Sequence, residues 1–411
     1  VLDIIEKINM VALVITSAAY VDQELGAELG NIPPSFLPVG GKRLYHIQYQ
    51  QVQHIAHDII LSLPAGFEVT EYDLKILNEL KIRIIYVDEE VGLGEALIHV
   101  IEQIKPQYDQ LKILHGDTLI YNIPKDIVDV FSVHRAADLY KWAKHVTVNE
   151  NENIIQNTDM SYTTGAEDVL SGFFSFSSLE KFLQALTIKN GNFILGLNEY
   201  SKSLPLSPLF LEGKWLDFGH SITYYKSRQQ LTTQRAFNDL KISGNVIEKT
   251  GKPNEKIQAE ASWYENIPPS LRLYTPAYLG RTTSKEGTSY YLSYEYLPPL
   301  SDLFVFGRLS KLSWNQIFIA CSDFLDECVR YAAPQSIGEE IPHLYNEKPR
   351  TRVDQFCCEK NLDPDENWII DGQPTPSLNE AIDRLCDILD RSGRCIPGIM
   401  HGDFCFSNIL Y

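Results

Sequence analysis

Short apolar runs alternate with amphipathic stretches from residue 10 to residue 114, and this alternation narrows the fold more than any other feature of the chain. Residues 10–20 begin Met-Val-Ala-Leu-Val-Ile, apolar at successive positions. That is the pattern of a parallel strand buried on both faces, here running into a loop. A loop bearing Gly and Pro follows and ends at Pro38-Val39-Gly40-Gly41-Lys42, with a helix expected beyond it to residue 55. Further strands are expected at 59–63, 82–87 and 111–114, separated by helices at 72–80 and 94–104. Strands alternating with helices make a parallel α/β sheet, which presents ligands at the carboxyl ends of its strands.

The 411 residues suffice for two or three domains with more than one core. Hydrophobic content of 44% and charged content of 22% are those of an ordinary soluble protein. No apolar run has the length of a membrane span, and the opening residues give no expectation of a secretory signal. The net charge of −18 argues against nucleic acid and anionic membrane as main partners, because phosphate binding relies on Lys and Arg. Nucleotides in small local sites stay compatible with it. Seven cysteines, without a C-x-x-C pair and with Cys357 beside Cys358, point to a reduced, cytoplasmic protein without zinc.

Within the first half, Leu37-Pro38-Val39-Gly40-Gly41-Lys42 precedes a helix, and His115-Gly116-Asp117-Thr118-Leu119 follows a strand. Trp215-Leu216-Asp217-Phe218-Gly219 comes later. Over residues 8–230 this order resembles the sugar-phosphate nucleotidyltransferases, whose patterns run near L-A-A-G-x-G-x-R, P-K-x-L-x-P-V-x-G-K-P and W-x-D-x-G. The resemblance implies a Rossmann-like (GT-A-like) domain with a mixed sheet, in which Asp117 and Asp217 hold Mg²⁺. Two carboxylates suit that hard cation, which also takes substrate phosphate oxygens. By the same resemblance Gly92 and Ala96, in Gly92-Leu93-Gly94-Glu95-Ala96-Leu97, lie against the nucleotide base, and the strand at 171–176 lines the acceptor pocket. Two departures concern the triphosphate: Thr16-Ser17-Ala18-Ala19-Tyr20 replaces the Gly-rich turn with no Arg before residue 43, and Ser35 stands where the family has Lys. Asp117 and Asp217 as mere turn or cap residues are the plainer alternative.

A different pattern begins near residue 237. Two strands are expected at 238–249, then a helix containing 257–264, an aromatic strand at 290–298 that stops at Pro298, and a long amphipathic helix at 314–331 with Ile317, Ile319, Phe324, Leu325 and Val329 on or near one face. Residues 361–376 read as loop, and Ser377-Leu378-Asn379-Glu380 is a capping box that opens another helix, with Leu378, Ile382, Leu385 and Leu389 expected along one side. Lys249 and Glu260 are the strand Lys and helix Glu that pair over ATP phosphates in kinase-like folds, with Lys252 and Lys256 as alternatives for the Lys. The chain ends His401-Gly402-Asp403-Phe404-Cys405-Phe406-Ser407-Asn408 and three further residues. This matches the H-G-D-x-x-x-x-N loop of the aminoglycoside phosphotransferase and choline kinase family, and the resemblance covers 235–411. It implies Asp403 as the residue facing the acceptor hydroxyl, Asn408 as a Mg²⁺ ligand, and Glu295 and Leu297 in the hinge against adenine. A local turn is the alternative for Asp403 and Asn408. The family's second metal Asp lies beyond residue 411, so the second domain reads as incomplete at its carboxyl end.

The expected organisation is therefore 1–232 as nucleotidyltransferase-like and 233–411 as kinase-like. Two functional readings stay open. One is a bifunctional enzyme of activated-metabolite synthesis, working on surface-polysaccharide precursors, with Mg²⁺ as cofactor and ATP and one of CTP, UTP or dTTP as substrates beside a small hydroxyl compound or sugar phosphate. The other keeps the kinase-like half and makes the first half a non-catalytic sensor or scaffold.

Overall fold

The structure, a computed structural model, describes residues 10–136, 143–149, 152–156, 167–211, 214–231, 238–285, 287–331, 343–370, 372–392 and 398–411. The first half is built on a mixed sheet. Its centre is Val11–Thr16, parallel to Asp58–Pro64 on one side and to Gln110–His115 on the other, with Ile82–Val87 parallel at the far edge. Glu167–Phe176 pairs antiparallel to Gln110–His115, and Val130–Ala136 pairs antiparallel to Glu167–Phe176. Alternation along the central strand sorts its side chains between two cores, Leu13 and Ile15 to one face and Ala12 and Val14 to the other. Helices Leu44–Val52, Glu71–Glu79 and Leu93–Ile104 connect the parallel strands as expected, with ends moved by at most three residues, but the stretch expected as loop before Lys42 also holds a helix, Gln23–Leu29, capped by Asp22.

The expected boundary at 232/233 lies outside the described residues. Beyond it, Asn238–Ser243, Val246–Gly251, Gly287–Ser293 and Tyr278–Ser284 form a four-stranded antiparallel sheet in that spatial order. Helix Asn254–Asn266 covers one face, where Ile257 and Ala261 meet Tyr290 and Leu292. The aromatic strand expected at 290–298 already ends at Ser293, and Tyr294 to Leu297 continue without strand pairing.

Two helices and one loop of the second half depart from their sequence reading. Helix Lys311–Val329 buries Ile317 and Phe324, but Ile319, Leu325 and Val329, expected on the same side, are about half exposed. Helix Leu378–Ser392 starts at its capping box, with Ser377 Oγ accepting from the Glu380 amide at 3.1 Å. It buries Ile382 and Cys386 while Leu385 is exposed, because cysteine completes the apolar stripe where leucine was expected to. Within the expected loop 361–376, Ile369–Ile370 and Gln373–Pro374 pair as a minimal hairpin.

The two halves share a core. Leu300, Leu303 and Ile317 belong to the same buried cluster as Phe36, Leu37 and Tyr45. Arg43, 6% exposed, is the polar centre of this junction. Its guanidinium donates to both carboxylate oxygens of Asp73 at 3.2 and 3.1 Å and to the carbonyls of Phe36 at 3.0 Å and Phe306 at 2.7 Å. It also lies 5.0 Å from the centre of the Phe306 ring. Among the described residues no helix is long and apolar enough to cross a membrane.

Candidate active sites

Two short strands assemble the first site. Trp215–Asp217 runs antiparallel to Thr118–Ile120, with Asp217 opposite Thr118, and the Phe218 amide donates to the Asp117 carbonyl at 2.8 Å. The residues separated by a hundred positions in sequence thus share one small ribbon at the carboxyl end of Gln110–His115. Gly219 is where their carboxylates converge: a Cβ there would lie 2.7 Å from Asp117 Oδ2 and 3.4 Å from Asp217 Oδ1. Gly116 has a similar reason, since its Cβ would meet the Thr16 carbonyl at 2.5 Å. Glycine at both positions is a packing requirement of the ribbon, and Gly219→Ala should displace a carboxylate while leaving the fold intact. The expected result is Mg²⁺ affinity about tenfold weaker or worse, read by calorimetry; unchanged affinity would contradict this placement.

Burial is the first cause raising the pKa of both carboxyl groups, although each keeps some surface open to solvent. The Asp117 charge raises Asp217 further, to about 6. Asp217 Oδ1 accepts from the Gly219 amide at 3.3 Å, whereas its buried Oδ2 has no protein partner. Among the described residues no group of three or more His, Cys, Asp or Glu is arranged to hold a metal. A facing pair with an unsatisfied oxygen nevertheless fits Mg²⁺, which needs one or two carboxylates when phosphate oxygens complete its shell.

Sequence reasoning missed what supports this ribbon. Gln48, fully buried, donates through Nε2 to the carbonyls of His115, Gly116 and Thr118 at 3.0, 3.2 and 2.7 Å. No local motif marks it. The first loop is also closed upon itself. Ser35 Oγ and its amide donate to Ser17 Oγ at 2.8 and 3.0 Å, and the Ser17 amide donates to Ser62 Oγ at 3.1 Å. The Ser17 and Ser35 hydroxyls thus pair with each other and Ser62 holds the Ser17 amide, a neutral network where the resemblance implies a cation facing phosphate. Arg43, the nearest arginine in sequence, is committed to Asp73 and Phe306.

Ala96 lines a cavity of about 110 Å³ with Ser17, Ala18 and Leu93, beside this loop. Gly92 instead caps helix Leu93–Ile104, its amide donating to Glu95 Oε2 at 2.8 Å. The structure brings Ala96, and not Gly92, to that cavity wall.

In the second half Lys249 Nζ lies 2.6 Å from Glu260 Oε2, and Tyr290 OH donates to the same oxygen at 2.8 Å. Glu295 and Leu297 line a separate cavity of about 460 Å³ together with His401 and Asn408. Asn408 Nδ2 donates to the Asp403 carboxylate at 2.8 Å and to the Asp403 carbonyl at 3.0 Å. Asp403 and Asn408 thus face each other, whereas the resemblance has one directed to acceptor and the other to metal.

No family model matches this sequence, and no curated protein matches it. Among solved structures the chain is similar to the CTP:phosphocholine cytidylyltransferase of Streptococcus pneumoniae, at 17% identity over 54% of this chain and 100% of that one, with a TM-score of 0.42. It is similar to a nucleoside-diphosphate-sugar pyrophosphorylase from Vibrio cholerae at 13% identity over 53% and 100%, TM-score 0.43. A third is the UTP-bound UGPase of Acinetobacter baumannii, at 14% identity over 54% and 93%, TM-score 0.40. The chemistry proposed below rests on this chain's own side chains.

Proposed function

We propose that the first half transfers a nucleotidyl group from a nucleoside triphosphate to a phosphate ester, with release of pyrophosphate. The observation that carries this reading is the convergence of Asp117 and Asp217 at Gly219, with a buried Asp217 oxygen left unpartnered. In this role Asp117 and Asp217 hold Mg²⁺, whose charge offsets that of the phosphate oxygens. Gln48 fixes the backbone that carries Asp117, and Ala96 shapes the wall met by the base. The second half, on this reading, phosphorylates a small hydroxyl compound with ATP. Lys249, held by Glu260, would contact phosphate; Asp403 would accept the hydroxyl proton; Glu295 and Leu297 would border adenine. Consecutive phosphorylation and nucleotidyl transfer yield an activated metabolite of the kind used to decorate surface polysaccharides.

The closed hydroxyl network of Ser17, Ser35 and Ser62 favours a second reading, in which the first half binds ligand without turnover. Triphosphate needs positive charge at this point, and three hydroxyls supply none. A thermal-shift panel of ATP, CTP, UTP, GTP and dTTP, each with Mg²⁺, separates the two when run on wild type, Asp117→Ala and Asp403→Ala. Nucleotidyl transfer predicts a pyrimidine nucleotide that stabilises wild type but not Asp117→Ala, with pyrophosphate released on adding a phosphate ester. Stabilisation by nucleotide without pyrophosphate release supports the sensor. If no nucleotide stabilises the protein through Asp117, both assignments of the first site fail.

The second site has its own test. Lys249→Met should abolish stabilisation by ATP and Mg²⁺, an effect of about 2.7 kcal/mol when ligand is a hundredfold above Kd. Retention of the full shift in Lys249→Met would remove this lysine from the phosphate site.

A further inference from the structure

Lys112 is an anomaly of the central sheet. It sits in strand Gln110–His115 and is only 3% exposed, yet among the described residues no carboxylate lies within ion-pair distance of its ammonium. Its hydrogen-bond acceptor is the Lys125 carbonyl at 2.7 Å, which leaves two N–H donors. Buried charges are ordinarily paired, because an isolated ammonium loses hydration that a single carbonyl does not replace. Burial accordingly pushes the Lys112 amine down to about 8, and the more distant Asp126 only partly offsets it.

The ammonium borders an open cavity of about 580 Å³ at the amino ends of the strands. Lys125, His54 and His57 line the same cavity, with Asp126 as the acidic member of its wall. His57 Nδ1 accepts from the Val11 amide at 3.1 Å, which assigns its ring proton to Nε2 as a further donor. Two lysines and two histidines around one carboxylate stand out in a chain of net charge −18. The site lies at the amino end of strand Gln110–His115, whereas Asp117 follows its carboxyl end.

We propose that this cavity binds a small phosphate-bearing anion, which completes the shell of Lys112 and takes donors from Lys125 and His57. A phosphate dianion fits because Lys112, Lys125 and His57 border one space whose wall holds a single carboxylate, Asp126. The tests use inorganic phosphate and glucose 6-phosphate as probes, in EDTA at constant ionic strength, with calorimetry and thermal shift as readouts. EDTA removes the cation on which the paired carboxylates depend. Wild type should bind at least one probe; preference for glucose 6-phosphate would identify a phosphate monoester, and equal affinity free phosphate.

Lys112→Met keeps the buried volume and should weaken binding about tenfold or more, the effect of one charge-assisted hydrogen bond. Lys125→Glu, at an exposed position, should weaken it as well and protects the test should Lys112→Met fail to fold. Asp117→Ala should bind as wild type does. The proposal is overturned if wild type binds neither probe, if Lys125→Glu binds with wild-type affinity, or if a folded Lys112→Met does.

Discussion

Arg43→Ala is expected to destabilise the protein by about 3–5 kcal/mol, the usual cost of removing one partner of a buried ion pair. The size follows from what would be left behind. Asp73 is 1% exposed, and the remaining donors to its carboxylate are the hydroxyls of Tyr45 at 2.9 Å and Thr70 at 2.9 Å. Neither supplies charge, so the carboxylate would be stranded. The Phe36 and Phe306 carbonyls would also lose their common donor. Because Phe306 closes the helix Leu300–Phe306, whose Leu300 and Leu303 complete the first core, the effect should reach both halves. Urea denaturation checks this: the midpoint should fall sharply for Arg43→Ala and for Asp73→Ala. The double variant should lie close to either single one, since the partners act as a pair. A loss below about 1 kcal/mol would mean that water or a rearranged neighbour compensates the pair.

Arg43 also shows what the sequence does and does not disclose. The alternation of residues 10–114 made the parallel sheet legible, because buried strands and amphipathic helices have local signatures that survive without any neighbour. The meeting of Asp117 and Asp217 came only through the resemblance carried by Gly116-Asp117 and the W-x-D-x-G segment, because nothing local in the sequence links residues a hundred positions apart. Arg43 had no such signature: beside Lys42 it reads as a surface cation, and only the fold brings Asp73 and Phe306 to it. Gln48 and Lys112 were hidden for the same reason, being polar residues at helix and strand positions whose partners come from distant segments. The face of helix Lys311–Val329 was misjudged because periodicity finds an apolar stripe without saying how wide a partner covers it. Lys249 and Glu260 do meet, but their meeting alone does not assign them a ligand.

Asp217→Asn is expected to have the largest effect on chemistry and an opposite effect on stability. In the folded protein the Asp217 carboxyl is raised to about 6 from an ordinary value of 3.8, by burial first and by the Asp117 charge second. Between those values the folded state binds more protons than the unfolded state, so stability is greatest below about pH 4 and declines as pH rises through 6. Without Mg²⁺, wild type should therefore lose thermal stability across that window, on the order of 1 kcal/mol or more. Asp217→Asn carries no charge to repel Asp117, so its loss should be smaller and it should be the more stable protein at pH 7. Millimolar Mg²⁺ reverses the order. A cation favours the deprotonated pair, so it should stabilise wild type increasingly above pH 6 and leave Asp217→Asn almost unchanged. The proposed nucleotidyl transfer should drop in the variant on the order of 10²-fold or further, matching several kcal/mol of lost charge stabilisation. Thermal melts from pH 4 to 8, with Mg²⁺ and with EDTA, test the electrostatics apart from turnover. Equal pH profiles for wild type and variant would show that the two carboxylates do not interact, and with that the cation site they are proposed to form would be lost.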